Sequence, residues 1–156
     1  MTYQITGLSI NDFEKLIGAS EDDLAAQGAV RVVADADIGW PCRVSLTDAK
    51  SGESLILFNY LSHDVATPYR SSYAIFINEN STERAAHIDE TPSIFDGRPI
   101  AFRAFDSYGF LKDARLALSG QADAKIRDLF DNDDIAYLHA HNAAHGCFVA
   151  LVERQK

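Results

Sequence analysis

The pattern of apolar and polar positions predicts a chain that begins with short helices and continues mostly as β-strands. From Ser9 to Gly18, a capping residue, a short apolar pattern and a glycine stop predict a helix of two turns. The same arrangement from Ser20 to Gly28 predicts a second short helix. Residues 121–133 carry apolar side chains at helical spacing and predict a third helix.

Runs rich in β-branched and aromatic residues predict about seven strands. Short turns separate most of them, and such turns require antiparallel pairing. The polar segment 78–93 is expected to be a long surface loop with one helical turn. The expected fold is therefore α+β: a single domain over residues 1–156, with a mainly antiparallel sheet, about three helices and a C-terminal β-hairpin. The strand runs are AVRVVAD (29–35), CRVSLTD (42–48), SLILFNYL (54–61), SYAIFINE (72–79), IAFRAFDSY (100–108), IAYLHAH (135–141) and CFVALVE (147–153).

Composition and charge narrow the classes of partner. A chain of 156 residues is long enough for one domain with a substantial core, and 47% hydrophobic with 24% charged residues is ordinary for a soluble globular protein. A formal net charge of -9 repels phosphate backbones and anionic lipid surfaces. We therefore expect neither nucleic acid nor a membrane as a partner.

We expect a cytoplasmic location. The first residues, MTYQITGLSINDF, lack the basic start and the apolar run of a secretory signal. No segment approaches the roughly 20 apolar residues that span a bilayer. In a reducing compartment the two cysteines, Cys42 and Cys147, are expected to be free thiols.

The densest chemistry lies in AYLHAHNAAHGCF, residues 136–148, which contains three histidines, an asparagine and a cysteine. If residues 142–146 form a five-residue hairpin loop, His141 lies opposite Cys147 and His139 lies opposite Val149. His139, His141 and Cys147 then share a face that points into a cleft or to solvent, while His145 in the loop is solvated. The opposite face is continuously apolar and belongs against the core: Leu138, Ala140, Phe148, Ala150 and Val152.

Several functions fit this cluster. In a small enzyme or ligand-binding domain, the site would combine these groups with Arg70 and with Cys42 or Arg43. Cys147 would act there as nucleophile, His139 or His141 as base, and Asn142 as an orienting or oxyanion-binding group. In a metal site, His139, His141 and Cys147 would be ligands, with Cys42 or a carboxylate as the fourth. In a non-catalytic interaction domain, the cluster would be structural and the acidic surface would meet a protein partner. The sequence does not identify a cofactor.

The position of the arginines determines whether the site favours an anionic ligand or a metal ion. Pro41 and Gly39 constrain the turn before Cys42 and Arg43, and these two residues face opposite ways on an extended chain, so at most one reaches a given pocket. Arg70, in the loop TPYRSSY, is placed to present a guanidinium to a carboxylate or phosphate. If an arginine reaches the histidine face, the pocket is locally positive, and a small anion is favoured over a metal. Arg98 and Arg103 are expected to be solvated surface charges.

The segments WPCRVSL, TPYRSSY, IAFRAFD and HAHNAAHGCF, in this order, resemble domain of unknown function family 1203, a family of small bacterial proteins. The resemblance covers nearly the whole chain and rests on the combination of segments. It implies a single-domain bacterial protein and assigns no activity. The chain departs from the family pattern at Tyr73 and Ala74, where glycine and proline are expected, and at His145.

Overall fold

The strands pair antiparallel, as the sequence predicts, but they form two sheets. The computed structural model describes residues 1–156. It contains two α-helices, nine strands and two 3-10 turns at Ile10–Phe13 and Ser93–Phe95. The other elements are β1 (Tyr3–Thr6), α1 (Glu21–Ala26), β2 (Val30–Val33), β3 (Ser54–His63), β4 (Ser71–Asn78), β5 (Ala86–Ile88), β6 (Ile100–Phe105), β7 (Leu111–Ala117), α2 (Ala122–Phe130), β8 (Tyr137–Asn142) and β9 (Phe148–Arg154).

The large sheet has six strands in the order β5-β1-β9-β8-β6-β7, and the small sheet has three in the order β2-β3-β4. One face of the large sheet packs against α2. There Leu138, Ala140 and Val152 belong to one buried cluster with Ile126 and Phe130 of the helix. Burying this apolar stripe of α2 is what holds the helix in place, because an isolated helix of nine residues is marginal in water.

The opposite face of the large sheet packs against the small sheet through a layer of aromatic and histidine rings. Tyr60 of β3 lies 6.1 Å from Phe148 between ring centroids, and Tyr73 of β4 lies 5.1 Å from His141. His63, at the end of β3, contacts both Phe105 and Tyr137 of the large sheet. The polar face of the C-terminal hairpin is therefore covered by a second sheet.

Two of the three predicted helices form as α-helices. Ser20 caps α1 through its side chain, which accepts a hydrogen bond from the Asp23 amide at 3.1 Å, and Gly28 follows with a positive φ of 69°. The first predicted helix is instead a 3-10 turn at Ile10–Phe13, and Ser9 makes no capping hydrogen bond. The prediction there is wrong in type because the segment is too short and uncapped to sustain α-helical bonds.

Six of the seven predicted strands are present, and the run at residues 42–48 is not one of them. Its amides bond within the segment, from Cys42 to Thr47 and from Leu46 to Cys42, and Leu46 takes a left-handed φ of 53°. The structure adds three strands that the sequence reading left out: β1, β5 and β7. Of these, β5 lies in the segment expected to be a loop, where three residues pair with β1.

The C-terminal hairpin forms between β8 and β9, but the predicted register is wrong by two positions. His139 lies opposite Leu151, and Tyr137 lies opposite Glu153. The ladder then shifts, so that His141 pairs with Phe148 and Val149 is an extra residue. This β-bulge sends Val149 into the core with α2 and turns Phe148 to the histidine face, the reverse of the prediction.

No helix of the structure is long and apolar enough to cross a membrane.

Candidate functional site

The two strand histidines of the predicted cluster are buried between the sheets. His139 is 5% exposed and His141 is 2% exposed. The Phe148 ring packs against both, at 5.0 Å from His139 and 6.0 Å from His141 between centroids. The expectation that this face opens into a cleft or to solvent is wrong, because β3 and β4 cover it.

Burial also fixes the charge of these histidines. Desolvation lowers the pKa of His139 to about 3 and that of His141 to about 4, and the nearby imidazoles and Arg103 act in the same direction. Both rings are therefore neutral at pH 7. His141 donates from Nδ1 to the Gly146 carbonyl at 2.9 Å, which fixes its tautomer.

A third histidine, His63, helps to line a small cavity of about 10 Å³. Its ring lies 4.9 Å from that of His139, and its Nε2 accepts from the Tyr137 hydroxyl at 2.6 Å. A cavity of this size holds about one water molecule and no organic ligand. Its lining consists of Ser62, His63, Ser71, Tyr73, Arg103, Phe105, His139 and His141.

The segment Pro41–Val44 lies between the two sheets and is fixed on both sides. The Arg43 amide donates to the Phe76 carbonyl at 3.1 Å, and the Arg43 carbonyl accepts from Leu8 at 2.7 Å. Gly7 comes so close that a Cβ there would lie 2.1 Å from the Val44 carbonyl oxygen. This backbone framework aims the Arg43 side chain at the start of β9.

Arg43 is a buried cation without a carboxylate partner. The residue is 2% exposed, and its guanidinium donates to the Phe148 carbonyl at 2.9 Å and to the Pro41 carbonyl at 2.7 Å. Its third contact joins Nη2 to the Cys147 Sγ at 3.1 Å. Burial lowers the pKa of Arg43, and charge on Cys147 acts in the opposite direction. Since buried charges are normally paired, the thiol is the one group within this contact set that can supply a counter-charge.

Arg43 and Cys147 line an open pocket of about 370 Å³, a volume suited to a small molecule. No aspartate or glutamate lines this pocket, although the chain as a whole carries a net charge of -9. The local charge is therefore opposite in sign to the global charge. The lining residues are Gly39, Pro41, Arg43, Tyr73, Ala74, Phe76, Arg98, Asn142, His145 and Cys147.

A second guanidinium at this pocket belongs to Arg98, which the sequence reading treated as a solvated charge. Arg98 is bidentate to Asp48, with contacts of 2.6 and 2.9 Å, and also donates to the Ile94 carbonyl. Asp48 in turn accepts from the amides of Gly39 and Trp40. Arg98 therefore supports the loop that precedes Arg43, and its charge is partly neutralised.

The hairpin loop supplies the remaining polar groups. The Asn142 Oδ1 accepts from the amides of Ala144 at 3.1 Å and His145 at 3.5 Å, which leaves the Nδ2 hydrogens without a partner in the chain. His145 is exposed, as predicted, and lies at the pocket. Cys147 is partly exposed and precedes β9, so its sulfur contacts Arg43 and makes no hydrogen bond to His139 or His141.

Two predicted ligand-binding residues lie elsewhere. Cys42 is fully buried on the other side of the segment, where its sulfur accepts from the Asn78 amide at 3.2 Å and contacts Ser81. Burial acts to raise the pKa of Cys42, but hydrogen bonds from Ser45, Ser81 and Asn78 outweigh it and lower the pKa. Cys42 and Arg43 do face opposite ways, as the sequence predicts, and both cysteines are free thiols.

Arg70 also stays outside the pocket. Its side chain is 57% exposed and pairs with Asp64 at 3.1 Å. The Tyr69 carbonyl, just before it, accepts from His63 and holds this end of the loop against β3. Arg103, expected to be solvated, is instead half-buried and donates to the Tyr73 hydroxyl at 2.6 Å.

The metal alternative finds no ligand set. The structure contains no group of three or more His, Cys, Asp or Glu side chains placed to hold a metal ion. The sulfur of Cys147 contacts a guanidinium, and a cation beside it disfavours a second positive charge.

The sequence reading missed the contributions of Tyr73, Arg98 and Arg103. No local motif marks them, since Tyr73 and Arg103 meet across the two sheets and Arg98 pairs with Asp48, which lies 50 positions earlier in the chain. The available signal was the number of arginines in β-rich segments, where a charged side chain must either reach solvent or find a buried partner.

A family model described as a protein of unknown function, DUF1203, matches residues 39–154 of the chain. The match begins at Gly39, in the loop of residues 39–44 that lines the pocket (the pocket loop), and ends with β9. No curated protein matches the chain. No solved structure matches it either.

Proposed function

The chain belongs to the DUF1203 family of proteins of unknown function, and we propose that its pocket binds a small anion, either inorganic or a small organic carboxylate or phosphate. The observation that carries the proposal is the buried Arg43 guanidinium, which has no carboxylate partner and borders an open pocket that lacks acidic side chains. A guanidinium recognises planar and tetrahedral oxyanions through paired N–H donors.

The hydrogen-bond count of Arg43 supports the same conclusion. A guanidinium has five N–H groups, and three contacts to Phe148, Pro41 and Cys147 use only three of them. The free N–H groups are on the two Nη atoms. An oxyanion in the pocket would accept from these groups and from the side-chain Nδ2 of Asn142. It would compete with the Cys147 sulfur for the guanidinium.

The positive charges at the pocket would attract an anion electrostatically. Arg43 and Arg98 add two positive charges at the pocket, and Asp48 compensates only the one on Arg98. A locally positive cleft on a chain of net charge -9 concentrates anions against the global field. The neutral histidines His139 and His141 contribute no charge. The arginines, rather than these two rings, would therefore bind the anion.

Binding can be tested with inorganic phosphate and with succinate, each against chloride at equal ionic strength. We expect the Tm to rise with anion concentration, because an anion that binds only the folded chain stabilises it. Over the same concentrations, alkylation of Cys147 by iodoacetamide should become slower. The matched pair of variants is Arg43→Met and Arg70→Met, since each removes one arginine charge. Both effects should disappear in the first and persist in the second. Equal responses to chloride, or persistence in Arg43→Met, would contradict the proposal.

A further inference from the structure

We propose that Cys147 is the reacting group of this pocket, and that its thiolate, held by Arg43, is oxidised by hydroperoxides to a sulfenic acid. The inference rests on the proposed function in one respect only: both use the Arg43 guanidinium in the same pocket.

The Arg43 guanidinium is in direct contact with the Cys147 sulfur. An arginine beside a cysteine favours negative charge on the sulfur, and the thiolate is the nucleophilic form. Here Arg43 is 2% exposed and its guanidinium is anchored by the carbonyls of Phe148 and Pro41, so it cannot swing away into water. The Nη2–Sγ distance of 3.1 Å is short for a sulfur contact. The ion pair would also supply the buried cation with the counter-charge it otherwise lacks.

Of the two cysteines, only Cys147 is accessible from the pocket. Cys147 is partly exposed and lines an open pocket of about 370 Å³, whereas Cys42 is fully buried with its sulfur bonded to Asn78 and Ser81. A hydroperoxide reaches only one of the two thiols. Because Cys42 lies on the opposite side of the segment that carries Arg43, it is not placed to resolve the oxidised sulfur within the chain.

Hydrolytic cysteine enzymes need a general base within hydrogen-bonding reach of the thiol. His139 and His141 are buried between the sheets, and neither is hydrogen-bonded to the Cys147 sulfur, whose contact is with Arg43. Oxidation by a hydroperoxide needs only a thiolate and donors that stabilise the departing oxygen. The free Nη hydrogens of Arg43 are such donors, and they lie beside the sulfur.

The reaction is a nucleophilic displacement at the peroxide oxygen. The Sγ lone pair of the Cys147 thiolate attacks the terminal oxygen of the hydroperoxide, the S–O bond forms and the O–O bond breaks. The terminal oxygen keeps its hydrogen and becomes the sulfenic hydroxyl, and the departing alkoxide takes a proton from water to leave as an alcohol. The sulfur loses two electrons and the peroxide gains them. A low-molecular-weight thiol can then condense with the sulfenic acid, giving a mixed disulfide and water.

The test uses the reduced wild-type chain, hydrogen peroxide as oxidant and dimedone as the trap for sulfenic acid, with peptide mass spectrometry to separate Cys147 from Cys42. We expect Cys147 to react at least about tenfold faster than free glutathione at the same pH, and to slow to the glutathione rate when the chain is unfolded in urea. The Arg43→Met variant should show the slow rate while folded, and Arg70→Met the fast rate. The urea comparison keeps the test decisive should Arg43→Met fail to fold.

Equal rates for Cys147 in the native and the unfolded chain would overturn the inference, as would preferential oxidation of Cys42. The peroxide measurement is made without any added oxyanion. Anion binding is measured separately on the Cys147→Ser variant, which retains Arg43 and cannot be oxidised. A failure of the reaction and a failure of the proposed anion site therefore give different results.

Discussion

Arg43 and Cys147 are 104 positions apart in the sequence and meet through an Nη2–Sγ contact of 3.1 Å. The same guanidinium bonds the Phe148 carbonyl, at the first residue of β9, and the Pro41 carbonyl in its own loop. One side chain therefore ties the loop between the sheets to the C-terminal strand and sets the charge beside the thiol. Stability and chemistry at this place depend on the same group.

Removing Arg43 should destabilise the chain markedly. In Arg43→Met the carbonyls of Phe148 and Pro41 lose a charged donor in a buried setting, so we expect the free energy of unfolding to fall by about 3 kcal/mol. Denaturant titration measures it. The matched control is Arg70→Met, because the exposed Arg70–Asp64 pair is screened by water and should cost no more than about 0.5 kcal/mol. Similar losses in the two variants would show that Arg43 does not tie the loop to β9.

The Asp48–Arg98 pair should contribute more to the free energy of unfolding than an ordinary surface ion pair does. Asp48 receives two guanidinium contacts and the amides of Gly39 and Trp40. Asp48→Asn keeps the shape but loses the charge, and we expect a loss of about 1–3 kcal/mol in unfolding free energy. Asp64→Asn is the exposed counterpart and should be nearly neutral. An Asp48→Asn variant as stable as the wild type would count against this support for the pocket loop.

Much of the fold could be read from the sequence because its signals are local. The apolar stripe of α2, the Ser20 cap and most strand runs reflect side-chain periodicity and turn chemistry. Residues 42–48 have the composition of a strand, yet they form a loop because their amides find partners within the segment and at the Phe76 carbonyl of β4. No periodicity signals that outcome.

The candidate site was predictable in content but not in arrangement. The sequence placed His139 and His141 on one strand face, which is correct, and the hairpin was correct as well. The bulge at Val149 changed which residues face the histidines, and the second sheet closed over them. Both depend on contacts between residues distant in sequence, so Arg43 came to Cys147 while Arg70 remained in solvent.

Gly7 should tolerate no side chain. A Cβ at this position would lie 2.1 Å from the Val44 carbonyl oxygen and 2.9 Å from that of Arg43, so Gly7→Ala must push the pocket loop away from β1. We expect a loss of about 3 kcal/mol or more in unfolding free energy. The control is Gly28→Ala, where φ is 69° but no atom lies within 4 Å of the added Cβ, and where the cost should be about 1 kcal/mol. A Gly7→Ala variant no less stable than Gly28→Ala would contradict the close approach.

The buried histidines should make the protein less stable as the pH falls from 7 to 5. The pKa of His139 is about 3 and that of His141 is about 4 in the folded chain, against an ordinary value of 6.5. Between these limits the unfolded chain binds more protons than the folded one, so the free energy of unfolding rises with pH and is lost on acidification. Each of the two groups should contribute about 2 kcal/mol to the loss between pH 7 and pH 5.

The measurement is urea unfolding at pH 7 and at pH 5, a window that lies above the ordinary pKa values of the carboxyl groups. His139→Gln and His141→Gln should each reduce the difference between the two pH values by about one histidine's share, whatever they do to the stability at pH 7. His145→Gln, which alters an exposed ring, should leave the difference unchanged. If the acid-induced loss were the same in all three variants and in the wild type, the two strand histidines could not be the groups whose burial opposes protonation.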